Sequence, residues 1–289
     1  MSQDASSTPL SIVIPAKNEA QAIGEVVRTA REVFPDAEVI VVDDGSEDAT
    51  ADIAEQAGAT VIRHPESLGN GAAVKSGVRV AQGEVLALMD GDGQHDAREI
   101  RRLVDKLDEG YDMAIGARDA GSHASVGRLF ANGFYNSLAS MISGRRILDL
   151  TSGFRVARAP LFKKFLYLLP NGFSYPTTIT MAFLRSGYPV CFEPVPAAER
   201  KGRSHIRPIR DGVRFLVIIF KIATLYAPLK VFLPISGLFF ATGLGYYAYT
   251  YFAFGRFTNM SLLVFSAAVI IFLIGLISEQ ITALTYSKS

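Results

Sequence analysis

Two long stretches near the end of the chain carry no charged residue, and they restrict the folds open to it. They cover 24 residues from Val231 to Phe254 and 22 residues from Phe257 to Ser278. As helices they would be roughly 33–36 Å long, enough to cross a bilayer core of about 30 Å. A pair of soluble core helices would need a further layer of protein around it, which the rest of the chain cannot supply. We therefore predict a transmembrane hairpin over residues 229–289, with spans at about 231–254 and 257–280, and the lipid bilayer as a partner.

The charged residues around the two spans predict their orientation. Eight lysines and arginines lie between residues 200 and 230, whereas the turn between the spans carries only Arg256. The positive-inside rule then places both termini in the cytoplasm and the protein in the inner (cytoplasmic) membrane. Basic and apolar residues alternate over residues 206–228, which predicts an amphipathic helix at the membrane surface, with an ordinary packed helix as the alternative. Residues 1–9 lack the basic start and apolar core of a secretory signal, and we predict that they are disordered.

Short apolar runs alternate with helical patterns up to about residue 116. The runs cover residues 11–15, 37–44, 59–64, 84–90 and 112–117, and helical spacing is found at 19–34, 48–57 and 71–81. This alternation indicates βαβ units, and so an α/β fold with a mostly parallel sheet. Residues 148–199 contain six prolines and follow no regular pattern. Ligands of open α/β sheets bind at the carboxyl ends of the strands, so the residues that follow each run are candidate ligand contacts.

The fourth apolar run ends in two carboxylates one residue apart, Asp90 and Asp92, followed by Gln94. The glycines at 91 and 93 allow the backbone to turn there. Two hard oxygen donors at this spacing suit a divalent cation that also holds a diphosphate. The same pattern occurs in helix caps and Asx turns, so that alone it leaves both interpretations open.

Polar residues also follow the first two strands. The first ends in Pro15-Ala16-Lys17-Asn18-Glu19 and the second in Asp43-Asp44-Gly45-Ser46. Acidic and amide side chains at these ends can hydrogen-bond a base and a ribose, and we favour ligand contact for Glu19 and Asp44. For Asp48 we favour capping of the helix that follows it.

Six motifs in this order resemble those of the family 2 glycosyltransferases of GT-A fold. They are PAKNEA at 15–20, VVDDGSEDAT at 41–50, LGNGAAVKSGVRVAQGE at 68–84, MDGDGQH at 89–95, GAR at 116–118 and DLTSGFR at 149–155. The most similar subgroup is the dolichol-phosphate mannose synthase type, whose members move a sugar from a nucleotide onto a membrane polyprenyl phosphate. The resemblance covers about residues 10–220. It implies a catalytic α/β domain over residues 10–205, a Rossmann-like nucleotide-diphospho-sugar transferase.

The resemblance also implies roles for individual residues. Those matching the family's nucleotide-binding positions are Pro15, Lys17, Glu19, Asp43, Asp44, Asn70, Asp90 and Arg200. Those matching its metal element, which would hold Mg²⁺ or Mn²⁺ against the diphosphate, are Asp90, Asp92 and Gln94. Those matching its catalytic positions near the donor and acceptor phosphates are Asp92, Arg118, Arg128 and Arg155. Arginine forks suit phosphate oxygens, although a solvated basic face beside anionic lipid is the alternative for these arginines. The family often has Tyr in place of Lys17 and Lys in place of Asn70.

The implied reaction is inverting transfer of a hexose from a nucleotide sugar, GDP-mannose or a UDP-sugar, to a polyprenyl phosphate, giving a β-linked product. An acceptor phosphate is already ionised at neutral pH and needs no general base. One alternative is a glycosyltransferase acting on a lipid hydroxyl, for which Asp149 is the nearest candidate base. Another is a non-enzymatic, membrane-tethered protein that binds nucleotide sugars. Gly237, Gly243 and Gly245 would allow the close helix approach of a homo-oligomer, and we expect no nucleic-acid partner.

Overall fold

The computed structural model describes residues 9–118, 143–172, 174–196 and 226–287, with scattered positions between 133 and 141 and at 220 and 224. The chain divides into two compact units, one of residues 1–141 with 145–206 and one of residues 142–144 with 207–289. Most of the predicted disordered N-terminus and of the predicted amphipathic helix over 206–228 lies outside the described residues. The domain boundaries given above therefore stay predictions.

The described part of the first unit is built on a seven-stranded sheet. Its strands are β1 (Leu10–Ala16), β2 (Glu38–Asp43), β3 (Thr60–Arg63), β4 (Val85–Leu88), β5 (Met113–Arg118), β6 (Arg155–Arg158) and β7 (Val190–Val195). Their order across the sheet is β3-β2-β1-β4-β6-β5-β7. Strand β6 runs antiparallel to both of its neighbours, and the other pairs are parallel. The first five strands lie where the sequence pattern predicts them.

Helices connect these strands and cover the sheet. They are α1 (Ile23–Val33), α2 (Thr50–Gln56), α3 (Asn70–Val80), α4 (Glu99–Asp108), α5 (Ala159–Lys164) and α6 (Tyr175–Arg185), with a 3₁₀ turn at Leu166–Leu168. Helix α1 shows why they form: Ile23, Val27 and Ala30 recur at three- and four-residue spacing and are completely buried. One apolar stripe of this kind is what a helix needs to pack on a sheet.

Residues 148–199, whose sequence shows no regular pattern, contain β6, α5, α6 and β7. The prolines that obscure the pattern stand where regular structure tolerates them. Pro160 and Pro176 occupy the first turns of α5 and α6, where no helical partner for a backbone N–H is lost. Pro194 lies in β7, an edge strand of the sheet.

The parallel strands bring the predicted site residues to one edge of the sheet. Ala16 at the end of β1 lies opposite Asp43 at the end of β2. The loop after β4 lies beside the end of β1, because the Gly91 N–H donates to the Pro15 carbonyl at 3.3 Å. Three of the polar strand ends are therefore neighbours in space, as expected for a ligand site of an open α/β sheet.

The second unit contains two long helices, α7 (Pro228–Phe254) and α8 (Asn259–Ser287). Both are long and apolar enough to cross a membrane, and little of either is buried inside the protein. Helix α7 ends at Gly255, whose φ of 64° is the left-handed conformation common at helix C-termini. These two helices match the predicted spans, and we treat the chain as a membrane protein.

Two glycines allow α7 and α8 to pack closely. A Cβ atom on Gly275 would lie 2.7 Å from the Cβ of Phe232, and one on Gly243 would lie 3.2 Å from the ring of Phe265. Gly237 and Gly245 instead face open space. Gly243 therefore serves contact within the hairpin, and a homo-oligomer formed through the outward-facing glycines stays a prediction.

We expect Gly275→Leu to lower the thermal unfolding midpoint of the full chain in detergent. A leucine side chain would overlap Phe232, and overpacking of this kind costs about 1–3 kcal/mol. Gly245→Leu is the matched control, because it changes the helix propensity in the same way on an open face of α7. Equal shifts of the two midpoints would contradict the packing argument.

Candidate active site

A cleft opens where β2 and β3 end. It encloses about 600 Å³, a size typical of small-molecule sites. Its lining residues are Lys17, Asp43, Gly45, Ser46, Glu47, Arg63, His64, Pro65, Glu66 and Ser67. Lys17 and Asp43, two of the predicted nucleotide contacts, both line this cleft, and the polar lining could receive a base and a ribose. Residues 63–67 are not among the predicted contacts, although they follow the strand next to β2, and strand adjacency could have identified them.

The Asp44 carboxylate anchors the loop that follows β3. Asp44 is buried, and its two oxygens accept four hydrogen bonds, about as many as a carboxylate can accept. The partners, at 2.8–2.9 Å, are the side chains of His64 and Ser67 and the backbone N–H groups of Leu68 and Gly69. The second ring nitrogen of His64 lies 2.9 Å from the Ser76 hydroxyl in α3. In this structure Asp44 shapes the cleft wall, and its predicted contact with the nucleotide stays a proposal.

We expect Asp44→Asn to destabilise the protein by about 1–3 kcal/mol at neutral pH. Leu68 donates to one carboxylate oxygen and Gly69 to the other, so the amide of an asparagine would face a backbone N–H in either orientation. Thermal unfolding of the full chain measures this loss, and Asp36→Asn, at an exposed carboxyl, is the control.

The same variant should also change the response to acid. Burial alone would raise the pKa of Asp44, but its hydrogen bonds to His64, Leu68, Ser67 and Gly69 hold it below the usual 3.8. A depressed pKa stabilises the fold above about pH 4, and this stability is lost as the pH falls through the depressed value. Midpoints measured between about pH 5 and pH 3 should therefore fall less steeply for Asp44→Asn than for the wild type. Parallel curves would contradict the anchoring role.

The loops after β1 and β2 are bound to each other. Asn18 donates its N–H to the Ser46 hydroxyl at 2.9 Å and accepts the Glu47 N–H at 2.8 Å through its side chain. Asp48 accepts the N–H of Thr50 at 3.0 Å, but the N-cap of α2 is Ala49, so Asp48 stabilises the turn before the helix and does not occupy the predicted capping position. The Glu19 N–H donates to the Thr50 hydroxyl at 2.8 Å. These bonds fix the backbone at Asn18 and at the predicted nucleotide contact Glu19.

The acidic loop after β4 carries the predicted metal ligands. Asp90 and Asp92 are half-buried, and the Gln94 N–H donates to Asp92 at 3.1 Å in an Asx turn. Gly93 has a φ of 71°, a conformation that favours glycine. The described residues contain no cluster of three His, Cys, Asp or Glu side chains suited to a metal. Two carboxylates and an amide oxygen still fit Mg²⁺ or Mn²⁺, because such ions commonly take their remaining ligands from substrate phosphate and water.

His95 directly follows Gln94 in the chain. Its ring is buried and stacks on Phe154 with the ring centroids 4.7 Å apart. Burial lowers the pKa of His95 to about 4, so the imidazole is neutral at physiological pH. Its Nδ1 atom has no hydrogen-bond partner among the described residues.

Arg118, at the end of β5, forms a two-pronged ion pair with Asp149. Its Nε and Nη2 atoms donate to the two carboxylate oxygens at 2.8 and 3.2 Å, and Nη2 also donates to the Thr151 hydroxyl at 2.8 Å. Burial alone would raise the pKa of Asp149, but the hydrogen bond and charge of Arg118 and the bonds from Thr151 hold it below its usual value. Arg118 remains 36% exposed, so its guanidinium can still meet a ligand.

The structure gives Arg155 a different place from the predicted phosphate contact. Its side chain is completely buried. The guanidinium donates to the carbonyl of Pro176 at 3.0 Å, to the hydroxyl of Thr180 at 3.0 Å and to the carbonyl of Ser152. Arg155 therefore ties the 149–155 motif to α6 and does not reach the surface of the site.

The remaining predicted site residues are Asn70, Arg128 and Arg200. Asn70 begins α3, and its buried Oδ1 has no partner among the described residues. Arg128 and Arg200 lie outside the described residues, so their roles stay proposals.

Comparisons with known proteins agree with this architecture. The family model for glycosyl transferase family 2 matches residues 11–167, and that for the GtrB C-terminal hairpin matches residues 227–284. Glycosyltransferase AglJ of Haloferax volcanii is 33% identical over 242 residues, which cover 81% of this chain and 78% of AglJ. The dolichyl-phosphate hexose transferase of the same organism is 30% identical over 205 residues, which cover 70% of this chain and 89% of that protein.

A solved structure shares the fold. Glucosyl-3-phosphoglycerate synthase from Mycobacterium tuberculosis, in complex with Mn²⁺, UDP-glucose and phosphoglyceric acid, superposes with a TM-score of 0.60 at 20% identity, covering 75% of this chain and 79% of that one. This likeness confirms the predicted GT-A fold. Because the family model matches more than half of its residues and a 33% identical relative covers most of its length, the chain belongs to glycosyl transferase family 2.

Proposed function

We propose that this glycosyltransferase moves a hexose from a nucleotide sugar to a polyprenyl phosphate in the membrane, with inversion, to give a β-linked polyprenyl-phosphate sugar. Two findings support this reaction. One relative is named as a dolichyl-phosphate hexose transferase and is matched over 89% of its length. The chain also carries the hairpin of the GtrB type, which would keep the enzyme at the membrane where such a lipid resides.

The donor side is assigned from the ends of β1 to β4. The cleft that contains Lys17 and Asp43 would take the nucleoside, and the diphosphate would lie toward the acidic loop. Asp90, Asp92 and Gln94 would hold Mg²⁺ or Mn²⁺ there. When bound, the cation supplies positive charge that neutralises the leaving diphosphate. A solved protein of the same fold is described with Mn²⁺ and UDP-glucose, which supports a divalent ion here.

The Arg118–Asp149 ion pair is the observation that favours a phosphate acceptor over a hydroxyl. A hydroxyl would need a base, and Asp149 is the candidate, yet its oxygens are engaged by Arg118 and its pKa is depressed. A carboxylate of lowered pKa is a weak base. A phosphate monoester has a second pKa of about 6, so it is ionised at neutral pH and needs no general base. Its oxygen can attack the anomeric carbon from the face opposite the leaving diphosphate, which inverts that centre.

The exposed part of Arg118 has a direct role in this scheme. Its guanidinium stands at the carboxyl end of β5, and the negative charges of both Asp149 and Asp90 act on it. Held by Asp149, it is oriented before substrate arrives, and oriented cations stabilise developing negative charge more effectively than mobile ones. We also propose that the domain faces the cytoplasm at the inner membrane, with both termini on that side, from the distribution of basic residues.

The test is release of nucleoside diphosphate by the detergent-purified full chain with Mg²⁺ or Mn²⁺. GDP-sugars and UDP-sugars are each supplied with a polyprenyl phosphate and, in parallel, with the matching polyprenol. We expect release that requires the phosphorylated lipid, and nuclear magnetic resonance of the product should show the β anomer. Release with the alcohol alone would overturn the assignment of the acceptor. Nucleoside diphosphate release at the same rate without any lipid would refute transfer of the sugar to a lipid.

A further inference from the structure

We propose that Gly153 is a positioning residue of the donor site, which keeps open the space that the Asp90 carboxylate occupies. Its effect on metal and nucleotide binding rests on the function proposed above. The contact between the two residues rests on the structure alone.

A side chain at position 153 would meet the Asp90 carboxylate. A Cβ atom built on Gly153 would lie 2.9 Å from one carboxylate oxygen of Asp90, 3.4 Å from the other and 3.4 Å from its Cγ. The three nearest atoms thus all belong to one carboxylate. Gly153 does not have a positive φ, so its backbone conformation gives no reason for a glycine. The reason is the space taken by Asp90.

The residues around Gly153 hold its backbone in place. The Ser152 hydroxyl donates to the Gly116 carbonyl of β5 at 2.6 Å. Phe154 stacks on His95, next to the predicted ligand Gln94. Arg155 donates to the Ser152 carbonyl and is itself fixed to α6. Residues 152–155 therefore connect the acidic loop, β5 and α6.

The surroundings of Gly153 determine which group moves when a methyl group is added at this position. The added methyl group and the Asp90 carboxylate cannot both keep their places, because the built Cβ atom lies 2.9 Å from a carboxylate oxygen. Gly153→Ala should therefore displace the carboxylate. Displacing a group that orients a metal ligand, or a ligand itself, typically costs about 10- to 100-fold in metal affinity.

The experiment measures binding and stability of the full chain in detergent. Mn²⁺ is titrated by calorimetry in the presence of UDP and, separately, of GDP, and the thermal midpoint is recorded without ligand. For Gly153→Ala we expect Mn²⁺ affinity at least about 10-fold weaker than that of the wild type. Gly172→Ala is the matched control, because a Cβ atom there meets nothing within 4 Å.

The Asp90→Ala background distinguishes a positioning role of Gly153 from a general folding defect. In Asp90→Ala the carboxylate is absent, so adding Gly153→Ala should weaken Mn²⁺ binding no further. Unchanged affinity in the single variant, or an equal further loss in the Asp90→Ala background, would overturn the proposal. If Gly153→Ala is unstable, recovery of the midpoint in the double variant supports the contact, and no recovery refutes it.

The two proposals fail in different ways. If the wild-type protein bound neither Mn²⁺–UDP nor Mn²⁺–GDP, the proposed donor site would be refuted. The midpoints of the wild type, the two single variants and the double variant would then still decide whether Gly153 accommodates Asp90, because they involve no ligand. Additive midpoint shifts would overturn the contact.

Discussion

Asp92→Asn should lower kcat/KM for sugar transfer by on the order of 100-fold or more, since even outer partners of a metal site are worth about 10- to 100-fold. The change removes one negative charge and one strong oxygen ligand from the acidic loop. It should leave the fold intact, because an asparagine oxygen can still accept the Gln94 N–H that closes the Asx turn. A loss of activity without a loss of stability is therefore the expected signature.

Nucleoside diphosphate release measured over a range of Mg²⁺ and Mn²⁺ concentrations checks this prediction. Higher metal should restore part of the activity if Asp92 contributes to metal affinity. Asp96→Asn makes the same chemical change four residues further on, where the exposed carboxylate pairs with Arg98, and it should be nearly neutral. Turnover close to that of the wild type in Asp92→Asn would refute the metal assignment.

The parts of the fold that sequence predicts are those with a local signal. Strands β1, β2 and β4 are apolar runs bounded by turn residues, and their burial follows from that pattern. Strand β6 has only four residues, Arg155–Arg158, and begins with a charged side chain at a buried position. Its place between β4 and β5 depends on partners about 40 and 70 residues away in sequence, so tertiary context overrides local preference.

The residues of the site likewise differ in whether a local sequence signal predicts their positions. The acidic pair at 90 and 92 is recognisable because two carboxylates and two glycines follow a buried strand. Nothing local distinguishes Asp43, which lines the cleft, from Asp44, which is enclosed by a loop more than 20 residues further on. Arg155 is similar: an arginine in a motif suggests phosphate, and only the carbonyls supplied by residues 152 and 176 show that it is held in the core.

Removing the Arg118 side chain should have an equally large effect, with a different signature. We expect Arg118→Ala to lower kcat/KM about 100-fold or more, since loss of one oriented charge-stabilising donor is worth about 10²–10³-fold in other enzymes. It should also destabilise the protein, because Asp149, only 9% exposed, would stay in its place without a cation. Arg118→Lys keeps the charge but cannot reproduce the fork, and its activity should remain well below that of the wild type.

The pH dependence of stability separates these two consequences. In the wild type the depressed pKa of Asp149 makes the pair stabilising above about pH 4, and this contribution is lost as the pH falls. Without Arg118, its hydrogen bond and charge are lost while the burial of Asp149 remains, so the pKa of Asp149 should be higher in the variant than in the wild type. The stability of the variant should therefore fall less steeply than that of the wild type as the pH is lowered.

Adding Asp149→Asn to Arg118→Ala should restore much of the lost stability without restoring activity. The neutral amide needs no cation, and its oxygen can still accept the N–H groups of Thr151 and Ser152, which both donate to the same oxygen of Asp149. Thermal midpoints and nucleoside diphosphate release, measured on the same preparations, decide the matter. Recovery of stability alone would mean that the Arg118 charge acts on the substrate, whereas recovery of both would mean that Arg118 only neutralises a buried carboxylate.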